Sequence, residues 1–75
     1  MKNTYLAITT HTEVNGKEYN FASVFKHTPS NNLWSQLHGI RNLSTVNVCE
    51  TKKEAHEIVD FWNECFEKNG TYGIV

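Results

Sequence analysis

The sequence predicts an α+β domain in the order β-β-α-β-α: an antiparallel three-stranded sheet, made of an N-terminal hairpin plus a third strand, packed on a long C-terminal helix, with a short middle helix. Three observations predict it. Two runs rich in Thr, Tyr, Phe, Ile and Val flank Asn15-Gly16, the strongest short-range hairpin signal. A cluster of breakers around Pro29 closes the second run. Residues 51–70, TKKEAHEIVDFWNECFEKNG, carry a helix start, an apolar stripe and a helix stop that agree with one another.

The first strand is expected over Thr4 to Val14 and the second over Lys17 to Lys26. A two-residue turn sets Ile8 opposite Ser23, Leu6 opposite Phe25, Thr10 opposite Phe21 and Glu13 opposite Glu18. Side chains alternate along a strand, so Leu6, Ile8, Tyr19, Phe21 and Phe25 share one face, and this larger apolar face is expected to meet the long helix. The other face, with Tyr5, Ala7, Thr9, His11, Asn20, Ala22 and Val24, is expected to look outward.

His27-Thr28-Pro29-Ser30 stops the strand, because proline has no N–H for a ladder and restrains the residue before it. Ser30 or Asn31 then caps a short helix in which Leu33, Trp34 and Leu37 have helical spacing and Gly39 is the terminator. Ile40 to Leu43 connects to a third strand over Ser44 to Glu50. Thr51 is the N-cap of the long helix, with Glu54 completing a capping box. Ala55, Ile58, Val59, Trp62, Cys65 and Phe66 recur at spacings of three and four and so line one side of it, with Phe61 at the margin. His56, Glu57, Asp60, Asn63, Glu64, Glu67 and Lys68 form the solvated side. Asn69-Gly70 ends the helix, and Ile74-Val75 either frays or lies across a sheet edge.

Seventy-five residues amount to a single domain, 1–75, near the lower limit at which one hydrophobic core suffices. An apolar fraction of 39% is too high for a disordered chain. The formal charge of −1 argues against general attraction to nucleic acid or to an anionic membrane. The first uninterrupted apolar run is only Tyr5 to Ile8, far short of a signal peptide or a membrane span, so a cytoplasmic location with no membrane partner is expected. Cys49 and Cys65 are too few for a disulfide framework and read as small buried hydrophobes.

Four histidines and two cysteines offer no ligand pair at zinc spacing, so no metal is expected. Catalysis by Cys49 requires a base, for which His11 or His27 on the hairpin would have to approach; a packed strand cysteine is the preferred reading. Glu57, Asp60, Glu64 and Glu67 lie on the polar side of a surface helix, without the burial that separates carboxyl pKa values. The glycines sit at turns and caps and form no phosphate cradle. No cofactor and no enzymatic activity are therefore expected.

Aromatic side chains are in excess of what a small sheet and one helix cover, and such residues are enriched at interfaces. Trp34 and Phe61, with Tyr72 behind them, are the expected partner-binding residues, either for another protein or for self-association through a sheet face or strand edge. The alternative is a nucleic-acid-binding domain using the outer sheet face through His11, Asn20, Lys26, Lys52 and Lys53. The passage VCETKKEAHEIV, entering a helix from a strand after the NGK hairpin, resembles the arm-type DNA-binding domain of tyrosine integrases, which implies a sheet presented to a major groove. Nucleic acid is the less favoured partner because that face carries almost no Lys or Arg. The ending WNECFEKNGTY, residues 62–72, is similar to the close of small uncharacterised proteins of phages and mobile elements of Gram-positive bacteria. That resemblance implies a small binder, such as an inhibitor of a host defence enzyme of the CRISPR nuclease kind.

Overall fold

A computed structural model describes residues 4–27 and 32–73. The elements are β1 (Thr4–Val14), β2 (Lys17–His27), α1 (Leu33–His38), β3 (Leu43–Cys49) and α2 (Lys52–Lys68), the α+β arrangement and order expected. The sheet is antiparallel with strand order β2-β1-β3. Asn15 and Gly16 both take positive φ, 53° and 82°, the geometry that matches a two-residue turn to the twist of its strands. The hairpin register is the one the turn dictates, with Leu6 opposite Phe25, Ile8 opposite Ser23 and Glu13 opposite Glu18.

α2 starts where the cap places it, with the Glu54 N–H donating to Thr51 Oγ1 at 3.1 Å. It ends in a Schellman turn: Gly70, at φ 72°, donates to the Glu67 carbonyl and Thr71 to the Phe66 carbonyl. The Glu64–Lys68 pair is formed at 3.1 Å between largely exposed side chains, a contribution of a few tenths of a kcal/mol at most. α1 begins one residue beyond the expected caps. Asn32 performs that role, its Oδ1 accepting from Ser35 N–H. Ser30, Asn31, Ile74 and Val75 lie outside the described residues.

The sheet packs in the opposite sense to the expected one. α2 covers the small-residue face, where Ala7, Ala22 and Cys49 are buried together with Ala55 and Val59 of the helix. Tyr5, Val24, Ile58, Trp62 and Phe66 close around them. The reason is volume. α2 brings its own bulk in Ile58, Trp62 and Phe66, so the complementary sheet surface is one of alanines that let the helix approach. The larger face, with Leu6, Ile8 and Phe25, is covered by the much shorter α1 and the turn after it, through Leu33, Leu37, Ile40 and Leu43. His27 Nδ1 and Gln36 Oε1, 3.0 Å apart, tie α1 to the end of β2. The face read as outward is thus the floor of the main core.

α2 does not sit centrally. Its contacts are mainly with β2, fewer with β1 and fewest with β3. One side chain anchors the offset: Asn63, expected on the solvated side, accepts from Ala22 N–H at 2.8 Å and donates to Ala22 C=O at 3.0 Å.

Candidate protein-binding surface

The two edges of the sheet are treated differently. On the β2 edge the Asn63 amide occupies both backbone groups of Ala22, as a neighbouring strand would. Beside it, the chain leaving the Schellman turn runs parallel to β2: Asn20 N–H donates to Thr71 C=O at 2.6 Å, and Gly73 N–H donates to Asn20 C=O at 3.0 Å. The Tyr72 ring lies against Phe21, with centroids 5.8 Å apart, and the Tyr19 ring packs on Gly73. The middle of this outer edge, at Asn20 and Ala22, is therefore occupied.

The β3 edge has no such cover among the described residues. In an antiparallel ladder, residues alternate between turning their backbone groups toward one neighbour and toward the other. Ala22 faces outward to Asn63, so its partner Thr9 faces β3; Ala7 and Tyr5 follow, and their partners Thr45, Asn47 and Cys49 face back. That leaves the N–H and C=O groups of Val46 and Val48 directed away from the sheet. A register shift between Thr9 and Thr10 makes Ser44 an extra residue, so the regular stretch of β3 is Thr45 to Cys49.

Two apolar side chains on this edge, Val46 and Val48, are uncovered among the described residues. Val46 and Val48 pair with Ile8 and Leu6 and share their face, yet they are 38% and 61% exposed because α1 does not extend over β3. Leu43–Cys49, LSTVNVC, contains neither a charge nor a proline, the two devices by which open edges are usually blunted. The face of β3 turned toward α2 ends in Cys49, fully buried. Burial pushes its thiol pKa up, and the Glu54 charge adds to the rise against a smaller opposing effect of a backbone hydrogen bond from Ala7.

Phe61, 56% exposed, is on the same side of the molecule. At about 100° per residue it follows Glu54 down one flank of α2, and Glu54 is the group that acts on Cys49 of β3. Asn63 occupies the opposite flank, toward β2. Phe61 therefore lies above the sheet on the flank of α2 turned away from β2, while Val46 and Val48 project below it. Tyr72, 39% exposed, is on the far edge with β2, so it does not share a surface with Phe61 as expected. Trp34 belongs to α1, its side chain outside the described part.

The five residues proposed for nucleic acid do not form a site. Lys26, Lys52 and Lys53 are exposed near the end of the sheet where Tyr5 pairs with both Lys26 and Cys49. His11 and Asn20 lie six residues further along β1, about 20 Å away, and are bonded to each other, His11 Nδ1 to Asn20 Oδ1 at 2.7 Å. The face between the two groups is covered by α2.

A groove of about 310 Å³ opens at the far end of the α2 core, lined by Thr9, Asn20, Ser44, Thr45, Trp62 and Phe66. Its lining has hydroxyls, an amide and two aromatic walls, and no group that titrates. His11 and His27, the histidines the hairpin offers to Cys49, are hydrogen-bonded to Asn20 and Gln36. Among the described residues no cluster of His, Cys, Asp and Glu is arranged to hold a metal, and no helix is long and apolar enough to cross a membrane. The chain matches no protein-family model, no curated protein and no solved structure.

The two valines and the asparagine amide were the features sequence reasoning missed. Val46 and Val48 follow the alternation of any half-buried strand, and no local pattern reveals that the covering helix is too short. Asn63 sits at the margin of the apolar stripe, a position from which an amide reaches either water or a neighbouring edge.

Proposed function

We propose that this protein is a non-enzymatic binding module that works by offering its β3 edge to a protein strand. The observation that carries this reading is the asymmetry of the sheet: the middle of one edge is occupied by Asn63 and the C-terminal tail, and the other is uncharged, uncovered among the described residues and exposes Val46 and Val48. Addition of a strand supplies main-chain hydrogen bonds at Val46 and Val48, and pockets beside alternate side chains supply specificity. Phe61 gives the partner an aromatic contact on the helix side.

A non-enzymatic role is supported by the state of the one cysteine that invited a catalytic reading. Cys49 is 1% exposed and held as the neutral thiol, whereas a nucleophile must ionise and be reached. The similarity of residues 62–72 to the close of small phage and mobile-element proteins makes a host defence enzyme one class of partner for such an edge.

The test is affinity capture from a bacterial lysate with the wild-type chain and with Val46→Pro. Proline at this position removes an outward N–H and leaves the β1 ladder intact, because Val46 does not donate to β1. Capture by the wild type of a stoichiometric protein that the folded variant fails to retain supports the reading. Identical capture by both overturns it.

A further inference from the structure

We propose that the strand added to β3 is the β3 of a second copy, running antiparallel about a two-fold axis through Asn47, so that Val46 of each chain faces Val48 of the other. This deepens the binding reading above and rests on it.

Three features of the edge are self-complementary. The regular stretch Thr45 to Cys49 has Asn47 as its midpoint, so an axis there overlaps the whole of it with its copy. The outward backbone groups belong to Val46 and Val48, and in this register each pair exchanges both hydrogen bonds. The side chains of those two residues then form one block of four valines on the lower face, where each chain alone leaves them exposed.

Charge distinguishes antiparallel from parallel pairing. β3 is neutral along its length, with Arg41 before its entry and Glu50 after its exit, both exposed. Glu54 lies on the β3 flank of α2 at the same end as Glu50, while Lys52 and Lys53 are carried to other sides of the helix. An antiparallel pair brings the end of β3 that Arg41 precedes in one chain to the end that Glu50 and Glu54 flank in the other, on both sides of the axis. A parallel pair would set Arg41 beside Arg41.

The arrangement also closes. The continuous sheet would run β2-β1-β3-β3-β1-β2, and its outermost strands are the ones whose middle Asn63 and the tail already occupy and whose ends carry Lys17, Glu18 and Lys26. Pairing therefore ends at a dimer instead of propagating into a fibre.

Light scattering over a concentration series, with circular dichroism as a check of folding, gives the mass directly. The expected result is twice the 8.6 kDa of one chain for the wild type, and one chain for folded Val46→Pro and Val48→Lys. Register is read by oxidative cross-linking in a Cys65→Ser background. Asn47→Cys faces itself across the axis and should give a covalent dimer, whereas Ser44→Cys copies lie six residues apart along the strand, about 20 Å, and should not. A wild-type dimer unaffected by both edge substitutions places the interface elsewhere and overturns the proposal. So does cross-linking at position 44 but not 47. A strict monomer at every concentration also overturns it. In that case a captured protein lost on Val46→Pro would show the edge serving another partner, whereas unchanged capture would remove the binding reading as well.

Discussion

β2 and β3 are the two flanking strands of the same small sheet, and they differ in what happens at their outer backbone groups. β2 is longer, carries charges at Lys17, Glu18 and Lys26, and has its middle covered by a helix amide and the returning chain. β3 is short, uncharged and uncovered. This domain manages its edges by the placement of α2 and its tail. The cover on β2 follows from the helix leaning that way, which leaves β3 with the fewest α2 contacts, while on the other face Val46 and Val48 are exposed because α1 does not reach them.

The largest effect should come from breaking the cover itself. Asn63→Leu removes two hydrogen bonds and leaves Ala22 N–H and C=O unpaired beneath an apolar side chain, so unfolding by urea should show a loss of about 2–3 kcal/mol. Retention of full stability would mean that Asn63 does not anchor α2. Next is Gly73→Ala, where an added Cβ would lie 2.8 Å from Tyr19 Cδ1; lifting the tail from β2 should cost about 1 kcal/mol and raise hydrogen exchange at Asn20.

Val48→Lys sharpens the contrast from the other side. At low concentration, where pairing is absent, its stability should lie within about 0.5 kcal/mol of wild type, because the side chain it replaces is 61% exposed. A larger loss would show that Val48 belongs to the core of one chain. The smallest effect concerns the buried end of β3. The Cys49 pKa is raised on folding, so the stability due to its neutral thiol is complete below the ordinary thiol range and declines as pH rises through and above it. The same burial predicts that a thiol reagent modifies Cys65, which is half-buried, before Cys49 in the folded protein, as peptide mass mapping would show.

Much of this organisation was legible because it is local. Asn15-Gly16 sets a turn with two positive φ angles, and through it the register of the whole hairpin. Thr51 and Asn69-Gly70 delimit α2 by satisfying its terminal backbone groups. The alternation of apolar residues in β1 revealed that two faces exist, with Leu6 and Ile8 on one and Ala7 and Thr9 on the other. What it did not reveal was which face α2 would take. Leu6 and Phe25 present more apolar area, but Ala7 and Ala22 offer the recess that Trp62 and Phe66 fill. Choosing between them requires the shapes of both partners.

The candidate surface was less legible for the same reason. Phe61 was singled out because it stands at the margin of the helical stripe, and it is exposed. Tyr72 was grouped with it, although the Schellman turn sends it back to β2, on the other side of the sheet. Local sequence was thus enough for the order of elements, the caps of α2 and the hairpin register, since each depends on backbone bonds within a few residues, while β2 ends at His27, β3 runs one residue earlier than expected and Asn32 caps α1. Tertiary structure alone decided which face became the core, that Asn63 and the tail would close β2, and that Val46 and Val48 would be left at an open edge. Those outcomes depend on side-chain volumes and hydrogen-bond partners brought together from 41 positions apart, as Ala22 and Asn63 are.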